Sequence, residues 1–380
     1  LYKYPQKEFP YRQLVETNRG RSREEMEYEL IDTGIFDDNR YFDVFVEYAK
    51  EGPEDMLVRI TAFNRGPDAA KLHVLPTLWF RNTWSWMDAT PKPLLKELKP
   101  GVILASHQEL GEYHMACDGK PELLFTENET NNRRLWNQPN ASPYVKDAFH
   151  NYVISGVMEA VNPARTGTKS AAYYVLEVPP GGSKEIRLRI GAGSAPKDFK
   201  FFDGVFNSRI KDADEFYSRI TPKSLSEDQR LVHRQALSGM LWTKQFYYFD
   251  LERWLMEHRS HPLIGSDKKT RNMEWFHMLN ADIISMPDKW EYPWYAAWDL
   301  AFHTTALALV DFDFAKEQLL LMLKSLYFHP NGQIPAYEWN FSDVNPPVHA
   351  WATLYLFKME RTLGRADFRF LERSFQGLML

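Results

Sequence analysis

The sequence has little that would link it to disulfide bonding, membranes or nucleic acid. Cys117 is its only cysteine, so no intramolecular disulfide can form, and we expect a reducing compartment, the cytoplasm. No apolar run approaches the roughly 20 residues that a membrane-spanning helix needs. The formal net charge is -5, with acidic and basic residues interspersed and no long basic block. This distribution argues against nucleic acid as a partner.

Motifs for cofactors are also missing. The sequence contains nothing that resembles a phosphate-binding loop, a Rossmann fingerprint or a nucleophile elbow. Asp299 and His303 have a spacing that metal ligands use, but no further ligands follow at suitable spacing. We therefore expect neither a cofactor nor a metal.

Aromatic residues, in contrast, are abundant. They make up 15% of the 380 residues and include 12 Trp and 19 Tyr. Because aromatic rings cover the faces of sugars, this excess suits a carbohydrate-binding cleft. A large packed interior accounts for it equally well, so composition alone leaves both interpretations open.

The hydrophobic pattern before about residue 200 is that of β-strands. Short runs such as 41–48, 56–63 and 171–178 have a period near two and are separated by turn residues. We predict no helices between them and a long loop at 127–143. Many short strands joined by turns favour an antiparallel β-sandwich, which we place at 1–200.

After residue 200 the pattern becomes helical. We predict helices at 206–220, 229–254, 295–310, 314–328, 347–362 and 366–380, with an irregular stretch at 255–293. Ser226, Asp313 and Asn345 are the predicted N-caps, the last because a proline follows it. These elements predict a linker helix region at 201–225 and a helical domain at 226–380.

Both ends suggest that the chain is a piece of a longer protein. It begins with Leu1 rather than Met, and the helical apolar pattern continues to Leu380. We therefore expect further residues on either side.

The stretch from Tyr337 to Trp351 carries the chemistry that the sequence shows most clearly. It places Glu338 and Asp343 among four aromatic rings, directly before two prolines. A proton-donating carboxyl beside a sugar-shaped aromatic floor is what acid-catalysed glycoside cleavage requires. The alternatives are a helix cap for Asp343 and a solvent-exposed acid for Glu338.

A catalytic role for Asp343 sets a physical condition. Asn345 is better placed as the cap, which leaves the Asp343 carboxyl free. The positive end of the helix would favour its ionised form, whereas a general acid must hold its proton. We therefore predict that Asp343 is buried against Trp339 and Phe341, near a second carboxylate.

A second constellation runs from Trp294 to His303. Asp299 and His303 are four residues apart and share a helix face, next to Trp298. Asp299 lies past the first turn of the predicted helix, so capping does not explain it. A carboxylate in an otherwise apolar helix needs a partner, which is either His303 or the hydroxyls of a ligand.

Together these motifs resemble glycoside hydrolase family 63, the processing α-glucosidase I type, and most of all its bacterial and fungal glucosidase-like branch. The resemblance rests on residues 298–303, 331–339 and 343–347. It implies the family's fold, a β-sandwich followed by an (α/α)6 barrel. The helical part of this chain is long enough for only part of that barrel.

The resemblance also implies an inverting glycosidase that acts on α-glucosidic bonds of oligosaccharides. Asp343 occupies the position of the family's general acid. Asp299 matches the carboxylate that holds sugar hydroxyls, with Trp298 beside it. The family's general base is a glutamate on a later barrel helix, which we expect beyond residue 380. The chain by itself is then expected to carry the acid without turning over substrate.

We accordingly predict a substrate-binding set around Asp343. Trp298, Tyr337 and Trp339 form the sugar floor, and Asp299 and Glu338 hold hydroxyls. The complete set is Trp294, Trp298, Asp299, His303, Tyr337, Glu338, Trp339 and Asn340.

Two other functions fit the same architecture. A non-catalytic carbohydrate-binding or scaffold protein would keep the aromatic cleft without needing Asp343. An inverting glycoside phosphorylase would require inorganic phosphate, and the sequence has no obvious cluster of Arg and Lys near these motifs.

Overall fold

The structure is a computed structural model that describes residues 1–85, 91–193, 195–265, 268–288, 291–292, 294–336 and 340–379. The chain divides into two compact units, Leu1–Asp212 and Ala213–Leu380. It is a mixed β and α protein. The domain boundaries at residues 200 and 225 stay predictions.

Antiparallel sheets dominate the first unit. Its strands are β1 (Tyr2–Pro5), β2 (Tyr41–Gly52), β3 (Asp55–Asn64), β4 (Ala70–Val74), β5 (Thr77–Trp79), β6 (Leu94–Lys99), β7 (Val102–His107), β8 (Gly111–Cys117), β9 (Glu122–Thr126), β10 (Thr166–Gly167), β11 (Lys169–Val178) and β12 (Ser183–Ala192). Eight strands form a sheet in the order β1-β2-β3-β12-β8-β7-β6-β10. A second sheet has the order β4-β11-β5, with β9 also paired to β11. The described strand pairs are antiparallel, as predicted.

Both sheets contribute to one hydrophobic cluster. Ile103 and Leu188 come from the larger sheet, and Leu123 and Phe125 come from the smaller one. Alternation along the strands supplies these side chains, because successive residues point to opposite faces. The sandwich itself stays a prediction.

Helices interrupt the strands, which corrects the expectation that there are none. They are α1 (Tyr11–Gly20), α2 (Asn132–Trp136) and α3 (Ala148–Ser155). The short α2 lies within the predicted loop at 127–143. In α3, Phe149 and Tyr152 are buried in a cluster with Leu124 of β9. Packing on a strand thus stabilises a helix too short for its period to be recognised.

Helix α4 (Phe202–Ile220) connects the two units along the chain. The second unit then contains α5 (Glu227–Trp242), β13 (Lys244–Asp250), α6 (Leu251–Glu257), β14 (Leu279–Ser285), α7 (Ala297–Leu307), α8 (Phe312–Leu321), α9 (Val348–Thr362) and α10 (Phe368–Leu378). Over the described ranges this gives ten α-helices. None of them is long and apolar enough to cross a membrane. The (α/α)6 barrel stays a prediction.

The start of α5 confirms the predicted cap, but its end does not follow the prediction. The Ser226 hydroxyl accepts a hydrogen bond from the Gln229 N–H, and the Gln229 side chain accepts one from the Ser226 N–H. The helix predicted at 229–254 nevertheless ends at Trp242. Strand β13 follows and pairs antiparallel with β14. The run of aromatic residues in β13 favours a strand, and its partner lies in the stretch predicted to be irregular.

Helices α7 to α10 share a core. Leu307 of α7, Leu319 of α8, Leu356 of α9 and Phe370 of α10 belong to one buried cluster. Each fully buried side chain of this kind contributes about 1.5–3 kcal/mol. This core fixes the frame on which the candidate site is built.

The start of α8 corrects a predicted cap. Asp311, rather than Asp313, accepts the hydrogen bond from the Phe314 N–H at 3.2 Å. Helix α8 begins two residues earlier than predicted, so Asp313 lies within its first turn. There its charge still complements the positive end of the helix.

Candidate functional site

Trp298 forms part of the wall of two cavities in the second unit. It is the second residue of α7, and its side chain is 39% exposed. One cavity, of about 340 Å³, also involves Gln333, Ile334 and the run 344–347; we call it the proline cavity. The other, of about 490 Å³, also involves Glu291, Tyr292, Trp294 and Asp299; we call it the acidic cavity. Helix α7 therefore presents one indole to both.

The acidic cavity combines aromatic rings with carboxylates. Trp294 and Tyr292 have ring centroids 5.8 Å apart, and both line it with Trp298. Glu291 and Asp299 supply the two carboxylates. The Nε1 atom of Trp294 is buried and has no hydrogen-bond partner among the described residues. Rings and acceptors in one cavity are suited to an uncharged polyhydroxylated ligand.

Glu291 was missed by the sequence analysis. Its signal was its place beside Tyr292 in the aromatic run that leads to Trp294.

The structure corrects the position of Asp299. Helix α7 begins at Ala297, so Asp299 lies in its first turn and complements the helix dipole. The statement that it lies past the first turn was wrong, because the predicted helix started two residues too early. Asp299 is half-buried.

His303 has a different partner from the one considered. Its Nδ1 lies 3.1 Å from the hydroxyl of Ser285 on β14. Burial lowers the pKa of His303, and the Asp299 carboxylate opposes that shift without cancelling it. His303 lines neither cavity. Its predicted role in binding substrate stays a prediction.

Asp343 is exposed, so the prediction that it is buried is wrong. Phe341, expected to shield it, instead packs inward, with ring centroids 6.4 Å from Trp275 and 4.9 Å from His329. Asp343 directly precedes Val344, the first residue of the run that lines the proline cavity. Its place beside the cavity therefore comes from the backbone rather than from an apolar shield.

Asn340 holds the Asp343 carboxylate. Its side chain is 5% exposed, and its Nδ2 donates to Asp343 Oδ2 at 3.2 Å. Asn340 Oδ1 accepts hydrogen bonds from the N–H and hydroxyl of Ser342, at 2.9 and 2.7 Å. The Asn340 side chain thus links Ser342 in the turn at 340–343 to the Asp343 carboxylate.

Tyr337, Glu338 and Trp339 lie outside the described residues. Of the three residues predicted to form the sugar floor, Trp298 is therefore the one that the structure describes. Of the two predicted to hold hydroxyls, it describes Asp299. Trp294 and Trp298 are brought together with Asp299 in the acidic cavity.

Asn345 does not cap α9, which corrects another prediction. The helix begins at Val348, after two prolines that have no N–H to offer a cap. Asn345 instead donates its Nδ2 to the carbonyl of Ile334 at 3.0 Å. Its Oδ1 is buried without a hydrogen-bond partner in the described part of the chain.

Like Asn345, His349 has a buried polar atom without a hydrogen-bond partner among the described residues. The sequence analysis did not single out His349 as a site residue. This residue is 6% exposed, and its Nε2 lies 3.0 Å from the carbonyl oxygen of Leu319. Burial lowers the pKa of His349 to about 4, so the ring is neutral near pH 7. Nε2 carries the hydrogen because a carbonyl only accepts. Nδ1 is then an acceptor, and it is unpaired within the described ranges.

The charges around the cavities limit their ligands. Among described residues the proline cavity has no charged side chain in its wall, and the acidic cavity has no Lys or Arg. Nor do the described residues contain a group of three or more His, Cys, Asp or Glu placed to hold a metal ion. The arrangement is suited to an uncharged ligand rather than to an anion.

Sequence comparison identifies a longer protein that is similar to this chain. No protein-family model matches the chain. An uncharacterized protein of Saccharomyces cerevisiae is 43% identical over 434 aligned residues, which cover 100% of this chain and 40% of the yeast protein. The chain therefore spans about two fifths of that relative's length. The resemblance to glycoside hydrolase family 63 stays a prediction.

Structural comparison finds two structures of a family GH92 alpha-mannosidase from Bacteroides thetaiotaomicron, one of them in complex with mannoimidazole. They are 11% and 12% identical to this chain, with TM-scores of 0.22 and 0.24. Each covers 89% of this chain, which in turn covers 49% and 50% of theirs. A likeness this low carries no argument about fold or function.

Proposed function

We propose that this chain is part of a glycoside hydrolase that cleaves α-glucosidic bonds in oligosaccharides with inversion. Asp343 is the general acid. The observation that carries the proposal is the shared indole of Trp298, which joins the cavity beside Asp343 to the cavity of Trp294 and Asp299. In this arrangement one ring supports the sugar, Asp299 supplies a carboxylate in one cavity, and Val344, the chain neighbour of Asp343, lines the other.

Because Asp343 is exposed, the proposal requires the bound substrate to shield its carboxyl from water. A general acid must hold its proton near neutral pH, which removal of water from around the carboxyl favours. A bound sugar covers the carboxyl and excludes water, which disfavours the charged form. Asn340 meanwhile keeps the carboxyl directed by its hydrogen bond.

The remaining groups have complementary roles in the proposal. Asp299 and Glu291 accept hydrogen bonds from sugar hydroxyls, and Trp294 stacks beside Trp298. A glutamate beyond residue 380 activates the attacking water from the opposite face of the sugar. In inverting enzymes the two carboxyl groups are roughly 6.5–9.5 Å apart, which leaves room for that water.

A non-catalytic carbohydrate-binding protein is the second candidate, and the exposure of Asp343 favours it. It keeps the same rings and acceptors but needs no proton donor. The phosphorylase is less favoured, because no Lys or Arg is among the described residues of either cavity.

The test is an assay of the protein that carries this chain, alongside the 380-residue chain itself, on α-linked glucose disaccharides with and without inorganic phosphate. The proposal expects glucose release that does not depend on phosphate. Release that requires phosphate supports the phosphorylase. Binding without release by the longer protein supports the non-catalytic candidate.

The wider architecture belongs to the same proposal. We place a β-sandwich at 1–200 and part of an (α/α)6 barrel at 226–380, as in glycoside hydrolase family 63. The cytoplasmic location, based on the single cysteine, also stays a proposal.

A further inference from the structure

We propose that His349 and Asn345 provide a pair of hydrogen-bond acceptors that bind an uncharged polyhydroxylated ligand, a sugar ring, in the proline cavity. This inference rests on the proposed function, because it names how the same site recognises its ligand. It assigns a binding role to two residues that the general acid does not require.

His349 can only accept at its free nitrogen. Its Nε2 is committed to the Leu319 carbonyl at 3.0 Å, and this bond fixes the tautomer. Its burial keeps the ring neutral at physiological pH. The unpaired Nδ1 therefore seeks a donor, and a hydroxyl is the simplest group that supplies one.

The side-chain amide of Asn345 is also held in one orientation by a hydrogen bond. Its Nδ2 donates to the Ile334 carbonyl at 3.0 Å, so the amide orientation is set. The remaining atom, Oδ1, is an acceptor without a partner among the described residues. Both side chains line the cavity whose wall contains the Trp298 indole.

These features define the ligand's chemistry. Two acceptors select a ligand with at least two donors. The described wall has no cation, so an anion finds no counter-charge there. The Trp298 ring offers a flat apolar surface. A neutral sugar satisfies all three conditions, whereas a sugar phosphate or a carboxylate ligand does not.

The two acceptor atoms are shielded from bulk water. A hydrogen bond from a ligand hydroxyl to either atom is therefore one for which bulk water does not compete.

The test measures binding of D-glucose and maltose by calorimetry, with glucose 6-phosphate as the anionic probe. His349→Phe keeps a ring of similar size and removes the acceptor. Thr353→Val is the matched control: Thr353 lies one turn further along α9, and its buried hydroxyl is also unpaired among described residues, but it does not line the cavity. We expect His349→Phe to weaken sugar binding at least about tenfold and Thr353→Val to leave it unchanged.

A second readout does not depend on the variant's folding. In the unaltered protein, ¹⁵N NMR of the histidine ring should show the Nε2–H tautomer of His349 and a shift of its Nδ1 signal when glucose is added. An Nδ1 signal that does not respond to saturating sugar overturns the inference. So does unchanged affinity in a folded His349→Phe variant, or tighter binding of glucose 6-phosphate.

Different results would contradict the glycosidase proposal and the acceptor-pair proposal. Sugar binding that depends on His349, without hydrolysis by the longer protein, supports the acceptor pair and contradicts the glycosidase. Hydrolysis that His349→Phe leaves unchanged in KM contradicts the acceptor pair alone.

Discussion

The buried amide of Asn340 donates a hydrogen bond to the exposed carboxylate of Asp343 across 3.2 Å. A side chain anchored in the protein interior thus directs one that faces solvent. Asp343 therefore owes its position to a polar anchor, where the sequence had suggested an aromatic shield.

Replacing this anchor should slow the reaction more than it weakens binding. Asn340→Leu removes the hydrogen bond that orients the Asp343 carboxyl, so we expect kcat to fall by about tenfold or more with KM little changed. Ser342→Ala is the control, since it removes a hydroxyl bound to the same amide but leaves the bond to Asp343. Steady-state kinetics of both variants on maltose makes the comparison. Equal kcat values for the two would contradict the role of Asn340.

The shared indole provides a second prediction. Trp298→Ala should reduce affinity for maltose at least about tenfold, or about 1.4 kcal/mol, because it opens the wall of both cavities. Trp351→Ala is matched to it: Trp351 is 48% exposed on α9 and lines neither cavity. Calorimetric titration of both variants tests this. A similar loss in both would mean that general aromatic surface, rather than the site, binds the sugar.

Stability should depend on pH through His349. Burial lowers its pKa to about 4 in the folded protein, against about 6.5 in an unfolded chain. Between these values the unfolded chain binds the extra proton, so the stabilisation is complete above about pH 6.5 and is lost as the pH falls towards 4. The loss is about 3 kcal/mol. Urea unfolding at several pH values should show it.

The comparison for this pH effect is His349→Phe. The variant should have a shallower dependence on pH between about 4 and 6.5. Burial also lowers the pKa of His303, so some dependence in the same direction should remain. An unchanged slope would show that His349 titrates normally in the folded protein.

A buried charge cluster joins the last three helices. Lys316 Nζ of α8 lies 3.1 Å from Glu360 Oε1 of α9 and 2.9 Å from Asp367 Oδ2 at the start of α10. After Lys316→Met, the ion-pair partner left to the buried Glu360 among the described residues is Arg365, at 4.0 Å. We expect a loss of about 3–5 kcal/mol, measured by scanning calorimetry.

A double variant separates the pair from the packing. Adding Glu360→Leu to Lys316→Met removes the unpaired charge and should restore at least half of the lost stability. If the double variant is as unstable as the sum of the single ones, the ion pair is not the source of the effect.

The sequence predicted elements whose signals are local. The strands around 41–48 and 56–63 follow from alternation, and the cap at Ser226 follows from its spacing to Gln229. Strand β13 was mistaken for helix because its short aromatic run is a weak signal until it pairs with β14. That partner is distant in the sequence, so no local period reveals it.

The candidate site likewise combines features that follow from the local sequence with features that depend on distant contacts. The proximity of Trp294, Trp298 and Asp299 follows from their closeness in the chain. The exposure of Asp343 does not, because it depends on Phe341 turning towards Trp275 in the interior. The unpaired Nδ1 of His349 depends on a carbonyl of another helix, which sequence patterns do not indicate.

The central claim is that Asp343 donates a proton during cleavage of an α-glucoside. The most direct measurement follows maltose by ¹H NMR with the protein that carries this chain, the same protein with Asp343→Asn, and a control with Asp313→Asn, another exposed acid of the second unit. We predict that β-glucose is released in excess of the anomer ratio at the reducing end of maltose, and that Asp343→Asn slows release by about 10²–10⁴-fold, while Asp313→Asn does not. Release at the unaltered rate by Asp343→Asn, or an initial excess of α-glucose over that ratio, would contradict the account.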